Sequence, residues 1–153
     1  MLSIIIPTWN EEKYLPKLLG CIKQQTYINY EIIVADADST DKTRLIAKKY
    51  GCRIVKGGFP AAGRNKGAEI AKGEILAFFD ADVQFGPDFL RNVTDELKHR
   101  KLDVAGCLIN PMSNETAYRI FFVIYNFTIF LIQFFIPMPR DALYFARNHC
   151  TKK

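Results

Sequence analysis

Short β-branched runs alternate with stretches of helical periodicity over the first two-thirds of the chain. Leu2–Ile6 is apolar throughout and stops at Pro7, the pattern of a buried strand. From Glu12 to about Gln25, the residues Leu15, Leu18, Leu19 and Ile22 recur at helical spacing. Tyr30–Ala35 predicts a second strand. The polar loop Asp36-Ala37-Asp38-Ser39-Thr40-Asp41 follows, and Ser39, Thr40 or Asp41 can each cap a helix running to Tyr50. Gly51 is placed to end that helix. Cys52–Val55 predicts a third strand and Gly57-Gly58 a loop, after which Pro60 opens a helix to about Lys72, with Gly73 as its stop. Ile75–Phe79 predicts a fourth strand. Gly86-Pro87 precedes a helix with Phe89, Leu90, Val93 and Leu97 on one face, and Leu102–Ile109 predicts a fifth strand. Such alternation defines βαβ units. The expected class is α/β, a Rossmann-like, mainly parallel sheet flanked by helices.

The last third changes character. Ile120 to Ile136 is apolar except for Asn126, Thr128 and Gln133, with Arg119 and Arg140 at its flanks. At about 17 residues it lies at the lower edge for a membrane span. It has no charged face of the kind an interfacial helix needs. A helix apolar all round must be buried in something, whether membrane, a partner chain or the remainder of its own domain. The expected division is a ligand-binding α/β region over 1–112, then an apolar helix and the start of a further region over 113–153.

Composition narrows the function classes. A chain of 153 residues, 49% hydrophobic and 24% charged, holds one domain with a real core. The net charge of +5 comes from dispersed Lys and Arg, with no basic-aromatic stripe, so nucleic acid is not an expected partner. Cys21, Cys52, Cys107 and Cys150 include no close pair, which argues against zinc and fits a reduced, cytoplasmic setting. Leu2–Ile6 is too short, and too lacking in a basic leader, to read as a signal peptide.

The chemistry concentrates where strands end. Asp80-Ala81-Asp82 follows an apolar strand, and two carboxylates so placed repel each other. Asp is common in turns, which is the ordinary explanation of such a pair. A hard cation, Mg²⁺ or Mn²⁺, would resolve the repulsion and is commonly shared with a substrate's phosphates. Three further clusters, Pro7-Thr8-Trp9-Asn10-Glu11, Asp36-Ala37-Asp38-Ser39 and Ala62-Gly63-Arg64-Asn65, follow the first three strands. In a parallel sheet these ends share one edge and converge on one crevice. There Asp36 could accept hydrogen bonds from a base or ribose, and Arg64 could pair with a diphosphate through its planar fork.

Taken together, Ser3-Ile4-Ile5-Ile6-Pro7-Thr8-Trp9-Asn10-Glu11-Glu12, Tyr30–Asp36, Ser39-Thr40-Asp41, Gly63-Arg64-Asn65-Lys66-Gly67-Ala68, Ala71–Ile75 and Asp80-Ala81-Asp82 resemble, in this order, the family 2 glycosyltransferases of GT-A fold. The resemblance covers roughly residues 2 to 110. It implies a GT-A-like sheet and a metal-dependent, inverting transfer of a sugar from a UDP- or GDP-linked donor to a glycan or lipid-linked acceptor, in the cytoplasm or at the cytoplasmic face of a membrane. It assigns Pro7, Thr8, Asn10, Glu11, Asp36, Asp38, Arg64, Asp80 and Asp82 to donor binding, with Asp82 and Asp80 on the metal. Two departures stand out. Asp36-Ala37-Asp38-Ser39 occupies the place of the family's Asp-Asp-Gly-Ser, moving one carboxylate along. No catalytic base is visible, since Asp103, Glu115 and Asp141 all lie outside the matching context, and Ala142–Arg147 resembles the strand that leads toward it. A truncated transferase is therefore expected, with a non-catalytic nucleotide-binding module as the alternative. A nucleotidyltransferase is weaker, because Pro7–Glu12 is neither Gly-rich nor basic.

Overall fold

The computed structural model describes residues 1–107, 115–132 and 143–148. The elements alternate in the expected order: β1 (Leu2–Thr8), α1 (Leu15–Lys23), β2 (Tyr30–Asp36), α2 (Thr43–Lys49), β3 (Arg53–Lys56), α3 (Pro60–Ile70), β4 (Ile75–Phe79), α4 (Phe89–His99), β5 (Val104–Gly106), α5 (Thr116–Ile132) and β6 (Leu143–Arg147). They build one six-stranded sheet in the order β3-β2-β1-β4-β6-β5. Strands β1 to β4 are parallel, and β6 runs antiparallel between β4 and β5. The sheet is thus mainly parallel and helix-flanked, as the sequence pattern implies.

Alternation along each strand sorts side chains onto two faces. Leu2, Ile4 and Ile6 of β1 pack with Ile32, Val34, Ala77 and Phe79 against α1, α2 and α4, through Leu15, Leu18, Leu19, Ile22, Ala47, Leu90 and Leu97. Ile5, Ile33, Leu76 and Phe78 form a smaller cluster on the opposite face with Ala68 and Ile70 of α3. Two aromatic contacts fasten β6 to its neighbour. Phe145 meets Phe79 edge-on at 5.7 Å on one face, and Tyr144 stacks on Phe78 at 4.5 Å on the other.

Element ends differ from the sequence expectation for identifiable reasons. The first helix begins at Leu15 rather than Glu12 because Pro16 is tolerated only in a first turn. The third stops at Ile70 rather than Lys72, since the Lys72 amide donates to Glu31 Oε1 (2.6 Å) and the Gly73 amide to Ser3 Oγ (2.8 Å). These bonds pull the chain off the helix axis toward β4. Gly51 ends α2 as expected: at φ 76° its amide donates to the Lys48 carbonyl and that of Cys52 to Ala47, a Schellman closure. The third strand is shifted by one residue to Arg53–Lys56. The fifth is shorter than expected, Val104–Gly106, and positions 108 and 109 of that expectation lie outside the described residues.

The apolar segment forms α5. Ile120, Phe121, Val123, Ile124, Phe127 and Leu131 on it are exposed. Among the described residues no helix is long and apolar enough to cross a membrane, and positions 133–136 of the apolar run lie outside them. Strand β6, from the 113–153 region, is hydrogen-bonded into the same sheet as the preceding strands.

Helix α3 approaches β1 so closely at Gly67 that a Cβ there would overlap Ile5 Cγ2. Ile5 is fully buried and has no room to withdraw. Gly67→Ala is expected to destabilise the fold by about 1–3 kcal/mol, read as a lower denaturation midpoint at unchanged m-value.

Candidate functional site

All four strand-end clusters meet at the carboxyl edge of the parallel strands. The edge lies above the point where the strand order reverses, since β2 lies on one side of β1 and β4 on the other. A cavity of about 750 Å³ opens there. Pro7, Thr8, Trp9 and Glu11 line it from the end of β1, and Ala37 and Asp38 from the end of β2. The segment from Lys56 to Pro60 follows β3, Arg64 comes from α3, and Asp80, Ala81 and Asp82 follow β4.

Two of the expected residues are not in that lining. Asp36, only 2% exposed, lies beneath the cavity floor. Its carboxylate accepts hydrogen bonds from Thr8 Oγ1 (3.1 Å), Ser39 Oγ (2.6 Å) and the Ser39 amide (3.0 Å), with Arg44 Nε at 4.0 Å. Asn10, in the left-handed region at φ 55°, accepts from the Thr40 amide (2.9 Å) and donates its own amide to Ser39 Oγ (2.9 Å). Both residues tie the loop after β1 to the loop after β2. The Glu11 amide completes the tie by donating to Thr43 Oγ1 (2.8 Å) at the start of α2, and the Glu12 amide donates to Asp41 (3.0 Å).

Asp38 is the acidic residue of that loop which reaches the cavity. At φ 56° it points away from the Asp36 network, and Lys56 Nζ lies 3.1 Å from its Oδ2. Lys56 and Phe59 lie outside every motif quoted from the sequence, and Trp9 lies within one but without an assigned role. Their signal was positional, since Lys56 closes β3 and Phe59 precedes the helix, as Trp9 follows β1.

At the β4 end, Arg64 Nη2 donates to Asp80 Oδ1 at 2.7 Å, with the guanidinium mostly buried. Asp82 is exposed. The Glu11 carboxyl is raised above its usual value by burial and then by the charges of Asp82, Asp41 and Asp80. The cavity mouth therefore carries an excess of negative charge facing one arginine. Among the described residues no group of three or more His, Cys, Asp or Glu is arranged to hold a metal ion. Two carboxylates fit a hard cation that draws its remaining oxygen ligands from a substrate's phosphates and water.

A mainly parallel α/β sheet with a cavity over its reversal point, acidic and basic residues at one end of it, has the crevice at which ligands bind in doubly wound folds. Comparison with known proteins specifies it further. Residues 3–143 match the model of Glycosyl transferase family 2, and the chain belongs to that family. Validoxylamine A glucosyltransferase of Streptomyces hygroscopicus subsp. limoneus is 36% identical over 103 residues, 61% of this chain and 23% of that protein. The crystal structure of Staphylococcus aureus TarS 1-349 in complex with UDP-GlcNAc matches with a TM-score of 0.68 at 27% identity, over 74% of this chain and 36% of that one. The mannosyltransferase PcManGT of Pyrobaculum calidifontis, solved with GDP-Man and Mn²⁺, shares the fold at a TM-score of 0.73 and 21% identity, over 95% of this chain and 44% of that one. The chain thus spans between about a quarter and somewhat under half of the length of these relatives.

The raised Glu11 pKa fixes the sign of a pH effect. Its ionised form is disfavoured in the folded protein, so the stability present below the ordinary carboxylate range is lost as pH rises through the folded value. Glu11→Gln is expected to melt at a higher temperature than the parent at pH 7 without ligand, with the gain shrinking toward pH 4. A gain independent of pH would contradict the electrostatic origin.

Proposed function

We propose that the chain provides the donor site of a glycosyltransferase that moves a sugar from a nucleoside diphosphate sugar to an acceptor hydroxyl. The observation that carries this reading is the convergence of Arg64, Asp80 and Asp82 with the loops after β1, β2 and β3 on one cavity. A diphosphate requires positive charge and a cation, and a nucleoside requires a shaped, partly apolar recess. The two ends of the cavity supply these separately.

In this proposal, Arg64 pairs with the diphosphate through its fork and gives up part of its bond to Asp80 as it does so. Asp80 and Asp82 would hold Mg²⁺ or Mn²⁺, Asp82 more directly than Asp80, whose carboxylate accepts from the Arg64 guanidinium. The bound cation would offset the charge that grows on the departing diphosphate. The acceptor oxygen forms its bond to the anomeric carbon as the bond to the diphosphate breaks, with inversion, and the hydroxyl proton passes to a base. No described residue is assigned as that base. Pro7, Thr8 and Glu11 shape the wall after β1, while Asn10 and Asp36 act one layer below and hold that wall in place. Residues 1–112 form the donor-binding region, and 113–153 add β6 and the apolar helix.

The relatives give this reading its substrate class: the TarS structure was solved with UDP-GlcNAc and PcManGT with GDP-Man and Mn²⁺. The exposed apolar side of α5 supports an acceptor that is lipid-linked and presented at a membrane surface on the cytoplasmic side.

Thermal shifts with UDP, GDP, TDP and ADP, each with and without Mn²⁺, test the proposal. Stabilisation is expected to require both a nucleoside diphosphate and the metal. Asp82→Ala is expected to remove the metal-dependent part. Equal nucleotide affinity in Mn²⁺ for Asp82→Ala and the parent would sink the metal assignment.

A further inference from the structure

The segment that carries the two aspartates has little structure of its own. Asp80–Asp88 joins β4 to α4 and belongs to neither. Among the described residues, one backbone hydrogen bond lies wholly within Asp80–Phe85, from the Val83 amide to the Asp80 carbonyl at 3.4 Å. Such a connection is held by what grips it from outside. Upstream, Ala81 is buried and Asp80 accepts from Arg64. Downstream, the Phe85 ring packs against Phe79 and Phe89, with centroid distances of 5.2 and 4.8 Å. The residue after it, Gly86, is gripped by Gln25.

Gln25 lies two positions past the end of α1 and is only 5% exposed. Its Nε2 donates to the Gly86 carbonyl (2.7 Å) and the Cys21 carbonyl (3.2 Å), and its Oε1 accepts from the Leu90 amide (3.0 Å). Thr26 doubles the grip. Its amide donates to the Pro87 carbonyl (2.9 Å) and its hydroxyl to Asp88 Oδ1 (2.9 Å). The chain leaving α1 thereby clamps both the end of the loop and the start of α4. Gln25 is not part of the cavity lining, so a ligand there leaves the clamp intact. Arg64 differs, because a diphosphate paired with it would share its bond to Asp80. Ligand binding then loosens the hold upstream of Asp82, while the anchor at Gly86, four residues downstream, stays in place.

We infer that Gln25 is a positioning residue for the divalent cation: by fixing Gly86 and Leu90 it holds Asp82 where a metal can use it. A buried glutamine that served the fold alone would lower stability when replaced and leave metal affinity as it was. The inference rests on the donor-site reading above and goes beyond it by giving a task to a residue outside the cavity.

Calorimetric titrations of the full chain with UDP and with GDP, each in Mn²⁺ and in EDTA, test it. For whichever nucleotide binds, Gln25→Met is expected to weaken binding in Mn²⁺ by ~10-fold, the lower end of what removing support from metal ligands costs, and to leave binding in EDTA unchanged. Gln25→Asn keeps an amide but shortens its reach, and it carries the same test should the Met variant not fold. Thr94→Val removes a buried hydroxyl of α4 that donates to the Leu90 and Arg91 carbonyls, and is expected to lower stability while keeping the Mn²⁺ effect. Linkage adds an arm on the unmodified chain, since a clamp that favours the cation must be favoured by it in return. Hydrogen exchange at the Leu90 amide is expected to slow when Mn²⁺ is added to the nucleotide-bound protein. The Arg147 amide, bonded to the Asp103 carbonyl at the far edge of the sheet, is expected to keep its rate. A full Mn²⁺ effect in a folded Gln25 variant, an equal loss in Thr94→Val, or Leu90 exchange indifferent to Mn²⁺ overturns the inference and leaves the donor site standing. Absence of nucleotide binding by the parent, or binding that ignores Mn²⁺, overturns the donor-site reading or its metal, and the inference with it.

Discussion

Much of the cavity hangs on one buried carboxylate. Asp36 ends β2, faces Thr8 at the end of β1 in register, and collects three hydrogen bonds from that strand and its own loop. A charge out of water is tolerable only with such partners, and each bond to it is worth roughly 1.5–3 kcal/mol. That is more than an exposed ion pair at the rim returns, about 0–1 kcal/mol. The energetic weight therefore lies under the floor. Ser39 makes the arrangement continuous, since it donates to Asp36 and accepts from Asn10, so one hydroxyl joins both loops.

Above that frame, carboxylates gather at the mouth of the cavity. Glu11, Asp80 and Asp82 share one region of the mouth, and burial adds to the cost of ionising Glu11. Arg64 answers Asp80, yet that contact also holds the guanidinium at the place where an anionic ligand would meet it. Such a mouth is better matched to a ligand that brings phosphates together with a cation than to either alone.

The fold was legible because its signals were redundant. Apolar runs of strand length, Pro60 at a helix start and Gly51 at a helix stop each agreed with the next element, and the βαβ alternation then left few topologies. What was not legible came from contacts between elements distant in sequence. The end of α3 depends on Ser3 and Glu31 drawing the backbone away, which periodicity within Pro60–Lys72 does not report. Motif spacing pointed Pro7, Thr8, Glu11, Arg64, Asp80 and Asp82 to one edge, and all six line the cavity there. It could not separate Asp36 from Asp38, because which carboxylate is buried depends on the backbone turning left-handed at position 38. Lys56 and Phe59 escaped notice for a related reason: neither belongs to a recognisable motif, and each matters only through the loop that β2 pins.

The antiparallel strand has a consequence for how the chain comes together in time. Strands β1 to β4 pair with neighbours supplied by the first 79 residues, through crossovers of modest length. Among the described residues, strand β5, although made earlier than β6, joins the sheet only through it. Until the segment near residue 145 has emerged and docked, β5 lacks the strand it pairs with, and the β4 edge is without β6, Phe78 and Phe79 lacking Tyr144 and Phe145. During synthesis the interval between residues 79 and 147 is therefore one in which an aromatic strand edge stands open to any other unfinished chain, and chaperones have reason to hold it.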